Sequence, residues 1–235
     1  MDAVRCALQS YWEATKSLYE ELYLLVIVNL IWSFLTLLFF SPFILLWVFL
    51  SFPITAIALP FLLPTPLSAG MYYLAHMIVH EKRMPGVFMF WEGIRTHWRP
   101  SLILFVVGLT VTALLWLNAE FYANLGGMFW PALSIVFLYA LVIWLTMQVY
   151  TLPLLMEQSD KRLTLVYRNA FFITIGNLVF NVVFVILLAV TISLSVLLTI
   201  PVFILTMGFM ALFATHSLLA ILRARGLRPQ SAEET

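Results

Sequence analysis

Asp, Glu, Lys and Arg are absent from four long stretches of this chain, which consist mainly of Leu, Ile, Val and Phe. The stretches cover residues 22–80, 100–119, 121–156 and 169–222. A helix needs about 20 apolar residues to cross a bilayer. The four stretches therefore hold two, one, one and two crossings, and the pattern predicts about six transmembrane spans.

The predicted spans are helices. Each stretch is continuously apolar and lacks the alternation of polar and apolar residues that a membrane β-barrel requires. Inside lipid the backbone must also satisfy its own hydrogen bonds, as it does in a helix. We expect an all-α, polytopic transmembrane helix bundle with spans at residues 22–40, 43–63, 101–118, 129–153, 170–190 and 196–221.

The basic residues indicate how these spans are oriented. When the spans alternate across the bilayer, all 12 Lys and Arg residues fall on one side. The other side receives turns near Ser41 and Pro42, at 118–127 and near 191–195, with Glu120 as its charge. Basic loops remain in the cytoplasm, so both termini are predicted to be cytoplasmic.

The longest cytoplasmic connection, residues 79–100, combines aromatic and basic side chains. This mixture is typical of an amphipathic helix on the membrane surface, and Pro100 suits the first turn of the following span. The segment is predicted to contact lipid or a protein partner through Trp91, Arg95, Trp98 and Arg99.

The N-terminal segment has a similar character. Apolar residues recur at three- and four-residue steps, which predicts a second interfacial amphipathic helix over residues 2–20. The first 21 residues lack the apolar core of a cleavable signal peptide. The first span is therefore expected to act as its own insertion signal.

Composition agrees with a membrane protein and narrows its chemistry. Hydrophobic residues make up 63% of the chain and charged residues 10%, whereas about 25% of a soluble domain is charged. The single cysteine, Cys6, excludes an internal disulfide and a cysteine metal cluster. Serine-nucleophile, phosphate-loop and dinucleotide motifs are absent. We expect no enzyme activity, no cofactor and no nucleic-acid partner.

Two histidines are a weak candidate for a metal site. His76 and His80 are four residues apart and share a helix face, which is the spacing of helical zinc pairs. The metalloprotease order H-E-x-x-H is absent, so a third ligand would come from His97, Glu81, Glu92 or a distant loop. The favoured alternative is a pair of interfacial histidines bonded to water or lipid phosphate.

Uncharged polar residues inside the spans are the candidates for a solute path. They are Asn29, Gln148, Asn177 and Asn181. Asn177 and Asn181 would share one face of the fifth span, and the favoured alternative is hydrogen bonding between helices. His216, in the last span, is interpreted as a packed donor between helices.

Four segments occur in a characteristic order: "PLSAGMYYLAHMI" (66–78), "FMFWEGIRTHWRPSL" (88–102), "YTLPLL" (150–155) and "YRNAFFITIGNL" (167–178). The pattern resembles the bacterial YesL family (DUF624) of uncharacterised membrane proteins over roughly residues 60–220. Thr65 and Pro66 stand where that family has a Gly-Pro turn, and the preceding apolar region is long enough for an extra span. The segments also trace two similar hairpins, a possible internal repeat.

The resemblance implies a place in the inner (plasma) membrane of a bacterium and a role in carbohydrate uptake, because the family often accompanies such systems. We expect a non-enzymatic accessory or regulatory protein whose partners are the lipid bilayer, membrane transport complex subunits and a second copy of the chain. The alternatives are an autonomous small-solute transporter or channel and a metal-dependent membrane enzyme. The predicted domains are an N-terminal amphipathic helix (1–21), a six-span domain with its cytoplasmic segment (22–222) and a cytoplasmic tail (223–235).

Overall fold

The computed structural model describes residues 3–50, 65–80, 85–125, 127, 129–198 and 202–226. Every regular element within these ranges is a helix, which confirms the all-α prediction. The elements are α1 (Ala3–Glu20), α2 (Leu22–Leu50), α3 (Pro66–Val79), α4 (Val87–Ala123), α5 (Phe129–Glu157), α6 (Leu163–Gly176), α7 (Leu178–Leu198), a π-helical turn (Val202–Thr206) and α8 (Met207–Ala224).

Five of the described segments are long and apolar enough to cross a membrane, so the chain is a multi-pass membrane protein. They are Leu22–Phe39, Val87–Ala123, Phe129–Glu157, Leu178–Ser195 and Ile204–Ala224. Most of the predicted second span, 43–63, lies outside the described residues. The predicted polytopic helix bundle is thus confirmed. The described part of the chain contains five candidate crossings.

The turn predicted near Ser41 and Pro42 is wrong, because α2 runs through both residues to Leu50. A proline inside a helix lacks the N–H that would bond to the carbonyl four residues earlier. Here the Ser41 hydroxyl donates to the Leu38 carbonyl over 2.8 Å and supplies that bond. Since lipid offers the backbone no other partners, the helix continues.

Pro100 does not begin a new element either. The predicted surface helix and the third span are one helix, α4, which contains Pro100 in its interior. Membrane helices tolerate proline where neighbouring groups satisfy the freed carbonyl. The exposed side of α4 carries Phe88, at 73% exposure, and Trp98, whereas Phe90 is fully buried.

The fifth span departs from the prediction at both ends. It is divided at Asn177, between α6 and α7, and α7 then continues through the turn predicted at 191–195 as far as Leu198. The Asn177 side chain donates to the Ile173 carbonyl over 2.8 Å. The Asn181 side chain donates to the Thr174 carbonyl over 2.8 Å. These amides replace backbone bonds of the helix, and the chain turns there.

The centre of the bundle is formed by α3 and α8. The membrane-crossing part of α8 is 78% buried, compared with 22% for α4, so α8 is enclosed by other helices while α4 mainly faces lipid. Gly93 of α4 lies against α3, since an added Cβ would come within 2.5 Å of the Tyr73 Cβ atom and 3.1 Å of the Gly70 Cα atom. Small residues permit this close crossing.

The predicted N-terminal helix is confirmed as α1. It contacts α7 and α8 and buries Ala7, Ser10 and Ala14 on one face. Trp12 and Tyr19 lie on its exposed side. The helix is therefore packed against the bundle through small residues and leaves aromatic residues at the surface.

Candidate metal centre

The two predicted histidines are positioned by a well-capped helix. Thr65 caps α3, its Oγ1 atom accepting from the Ser68 amide over 3.0 Å, and Pro66 occupies the first turn. Both features favour a helix that begins at this point. Its last turn then places His76 and His80 on the same face, one turn apart, as the sequence predicts.

The third member of the cluster is Glu157, the last residue of α5. Its Oε2 atom lies 3.5 Å from His76 Nδ1 and 3.3 Å from His80 Nε2. The ligand atoms of all three residues lie within 4.8 Å of one another. The distant ligand that the histidine pair requires is therefore supplied by α5.

These distances match the requirements of a metal ion. Ligand atoms about 2.1 Å from a tetrahedral ion are about 3.4 Å apart. The three side chains are also largely enclosed, with exposures of 9%, 8% and 15% for His76, His80 and Glu157. An enclosed site strengthens the attraction between a carboxylate and a cation.

The backbone orients the second histidine. His80 Nδ1 lies 2.8 Å from the His76 carbonyl oxygen, and a ring N–H at this position donates to it. A neutral ring with its proton on Nδ1 would present Nε2 to Glu157 and to a cation as an acceptor, the tautomer a metal ligand needs. The two imidazole rings are 4.1 Å apart between centroids, so they approach the carboxylate from adjacent positions.

The other residues suggested as third ligands are engaged elsewhere or lie outside the described chain. Glu92 accepts from the Tyr73 hydroxyl over 3.3 Å. His97 Nε2 lies 2.7 Å from Lys161 Nζ. Burial lowers the pKa of Lys161, since a charged ammonium is poorly solvated there. Glu81 lies outside the described residues.

Two of the predicted solute-path residues, Asn29 and Asn181, form hydrogen bonds between helices. Asn29 Oδ1 accepts from the Gly208 amide over 2.8 Å and links α2 to α8. Asn181 Oδ1 accepts from the Tyr150 hydroxyl over 2.7 Å and links α7 to α5. Gln148 is buried in α5. The side chains of Asn177 and Asn181 both donate to the Ile173 carbonyl, over 2.8 and 3.2 Å, and their part in a solute path stays a prediction.

The predicted contact residues of α4 are at the surface. Trp91 and Trp98 are 42% and 46% exposed, and Arg95 and Arg99 are exposed as well. The Arg99 guanidinium lies 5.2 Å from the Trp98 ring centroid, a cation–π contact. The surface is thus available to lipid or a partner, and its role stays a prediction.

Sequence reasoning missed Glu157, because α3 and α5 are far apart in the chain. One signal was present: Glu157 ends the charge-free stretch 121–156. On the predicted topology it emerges on the same side of the membrane as His76 and His80.

The chain matches no protein-family model, no curated protein and no solved structure. The resemblance to the YesL family therefore stays a prediction.

Proposed function

We propose that this membrane protein is a metal-dependent enzyme with a divalent transition-metal ion, favoured to be Zn²⁺, held by His76, His80 and Glu157. The observation that carries the proposal is the convergence of two imidazole nitrogens on one carboxylate oxygen, at 3.5 and 3.3 Å. A simple ion pair needs a single histidine. Two histidines on one oxygen are the arrangement expected around a shared cation.

Among the described residues the donor set consists of three side chains, and this number favours an enzyme over a structural site. Structural zinc sites are closed by four protein ligands, whereas catalytic zinc sites use three and keep a position for water or substrate. Two histidines and one carboxylate also serve non-haem Fe(II), so iron is the competing ion. When bound, such an ion supplies a Lewis acid. The chain's part is to hold it and to exclude bulk water.

The location of the site follows from the predicted orientation. His76 and His80 end α3, Glu157 ends α5, and the basic residues that favour a cytoplasmic position follow each helix in sequence. The centre would lie at the cytoplasmic surface of a bacterial inner membrane and receive its ion and substrate from there. An accessory role in carbohydrate uptake remains the expectation from the family resemblance.

Cobalt binding tests the proposal. Chelator-treated protein is titrated with Co²⁺, whose visible absorption reports coordination by protein ligands. We expect one ion per chain, and Glu157→Gln should weaken its affinity by more than about 100-fold, because even partners of the ligands contribute 10- to 100-fold. Glu92→Gln is the control, since this neighbouring carboxylate bonds Tyr73. Equal affinity in both variants would contradict the proposal.

A further inference from the structure

A second cluster of reactive side chains joins α1 to α8. Glu13 and Ser17 lie one turn apart on α1, and His216 lies on α8. The Ser17 Oγ atom is 3.0 Å from His216 Nε2, and His216 Nδ1 is 3.4 Å from Glu13 Oε2. The imidazole therefore lies between a hydroxyl and a carboxylate, with one ring nitrogen facing each group.

Glu13 is held as a carboxylate. The hydrogen bond from His216 lowers its pKa and outweighs the opposing effect of burial, and Gln9 and Arg223 act in the same direction as His216. The Gln9 amide donates to Glu13 Oε1 over 3.2 Å. A carboxylate that accepts from Nδ1–H keeps the proton on that nitrogen. His216 Nε2 is then an acceptor for the Ser17 hydroxyl proton, as a general base must be.

The surroundings of the cluster suit an amphiphilic substrate. Trp12 and Tyr19 on α1 are 70% and 80% exposed, and Tyr23, at the start of α2, is 82% exposed. Trp and Tyr are enriched at the level of the lipid headgroups, so these exposed residues favour a position of α1 at that level. The ester carbonyls of acyl lipids lie there too and would be within reach of Ser17.

A cavity of about 680 Å³ opens beside Glu13, between α1, the start of α7 and the end of α8. Its walls combine apolar side chains such as Phe180 and Ile221 with the polar groups of Gln9 and Asn177. A volume of this size accommodates a small ligand. Of the three cluster residues, Glu13 lines this cavity, so a part of an amphiphile bound there would lie on the Glu13 side of the cluster.

We propose that Ser17, His216 and Glu13 form a nucleophile, a general base and its orienting carboxylate, which together hydrolyse carboxylic esters of acyl-chain amphiphiles at the membrane surface. The Ser17 Oγ atom attacks the ester carbonyl carbon, and its proton passes to His216 Nε2. His216 returns that proton to the leaving oxygen as the C–O bond breaks. An alcohol leaves, and the acyl group remains on Ser17.

Water completes the reaction. Its oxygen attacks the acyl carbon while His216 Nε2 takes one of its protons. The bond to Ser17 Oγ then breaks, the carboxylic acid leaves, and the proton on His216 returns to Ser17. Reactants and products balance as ester plus water giving acid plus alcohol, with no further reagent.

This site shares no side chain with the metal centre, so the two proposals fail or succeed separately. Labelling by an alkyl fluorophosphonate tests it, since this probe forms a covalent bond with an activated serine. The full-length protein in detergent micelles is treated with the probe, and the modified peptide is located by mass spectrometry. We expect an adduct on Ser17, and His216→Ala should slow its formation by about 100-fold or more.

Thr15→Ala is the matched control. Thr15 lies on the same helix, but its hydroxyl donates to the Tyr11 carbonyl over 2.9 Å and it does not line the cavity, so the adduct on Ser17 should form at the wild-type rate. Two results would overturn the proposal: a wild-type protein that is not labelled at Ser17, or labelling whose rate does not depend on His216. Either would make the cluster a hydrogen-bonded clamp between α1 and α8. Because the first result concerns the unaltered protein, no variant that fails to fold can obscure it.

Discussion

Two clusters in the described part of this bundle combine histidine with glutamate. They differ in how many groups meet at one atom. In the cluster of α3 and α5, two imidazole nitrogens face the same oxygen of Glu157. In the cluster of α1 and α8, His216 is placed between the Glu13 carboxylate and the Ser17 hydroxyl. Convergence on one atom suits a cation, whereas a chain of three groups suits proton transfer.

Exposure separates the two clusters as well. The side chain of Glu157 is 15% exposed, and that of Glu13 is 37% exposed. An ion held by several ligands gains from an enclosed site, but an ester from the membrane has to reach its nucleophile. The same pair of residue types is thus buried where it would hold a cation and accessible where it would meet a substrate.

The largest predicted effect is on stabilisation by zinc. A ligand at 100 times its Kd stabilises the folded state by about 2.7 kcal/mol. We expect Zn²⁺ to raise the melting temperature of the wild type and of Glu13→Gln to the same extent, and to leave Glu157→Gln unchanged. Thermal unfolding in detergent, with and without Zn²⁺, measures this. Equal shifts in both variants would mean that the two clusters do not differ as described.

A smaller effect is predicted at the crossing of α3 and α4. A Cβ at residue 93 would lie 2.5 Å from the Tyr73 Cβ atom, so Gly93→Ala should lower the free energy of unfolding by about 1–3 kcal/mol. It should also weaken metal binding, since α3 carries His76 and His80. Gly86→Ala is the control, because nothing lies within 4 Å of its added Cβ.

Chemical denaturation and Co²⁺ titration of the two glycine variants provide the measurement. Gly86→Ala should stay within about 0.5 kcal/mol of the wild type and keep its metal affinity. If Gly93→Ala bound Co²⁺ like the wild type while losing stability, the position of α3 would not control the metal centre. The serine adduct on Ser17 should form in both variants, since the atoms nearest an added Cβ at residue 93 belong to α3.

The smallest predicted effect is a dependence on pH. The pKa of Glu13 in the folded protein lies below the ordinary glutamate value of 4.5. The Glu13 carboxylate therefore contributes fully to the free energy of unfolding above that pH, and this contribution is lost as the pH falls through the lowered pKa. The contribution is at most about 1 kcal/mol, because a partly exposed pair is screened by water.

Melting temperatures of the wild type and Glu13→Gln, compared across the acid range, test the sign. The difference in favour of the wild type should shrink as the pH falls below 4.5. A difference that grew as the pH fell would show that Glu13 is stabilised in its protonated form, contrary to the hydrogen bond from His216.

The fold class could be predicted from the sequence because it depends on local composition. Charge-free stretches of sufficient length are helices in lipid whatever their neighbours are. The ends of the helices were harder to predict, since they depend on single hydrogen bonds. The Ser41 hydroxyl donates to the Leu38 carbonyl, which Pro42 cannot bond, and α2 continues past this proline. The Asn177 side chain instead donates to the Ile173 carbonyl where α6 ends.

Two of the three side chains of the candidate metal centre could be predicted from the sequence. The spacing of His76 and His80 is a local feature and predicts a shared helix face. Glu157 joins them through the packing of α5 against α3, which no local pattern encodes. The position of His216 in an apolar span predicts a polar contact between helices. Its partners, Glu13 and Ser17, come from the other end of the chain, so the sequence near His216 does not identify them.

The most direct test of the central claim is X-ray absorption at the zinc edge of the zinc-loaded wild-type protein. The account predicts two imidazole nitrogens and one carboxylate oxygen at about 2.0–2.2 Å from the ion, with the imidazole signal reduced in His80→Ala. Zinc surrounded by water oxygens alone, or bound by the sulfur of Cys6, would contradict it.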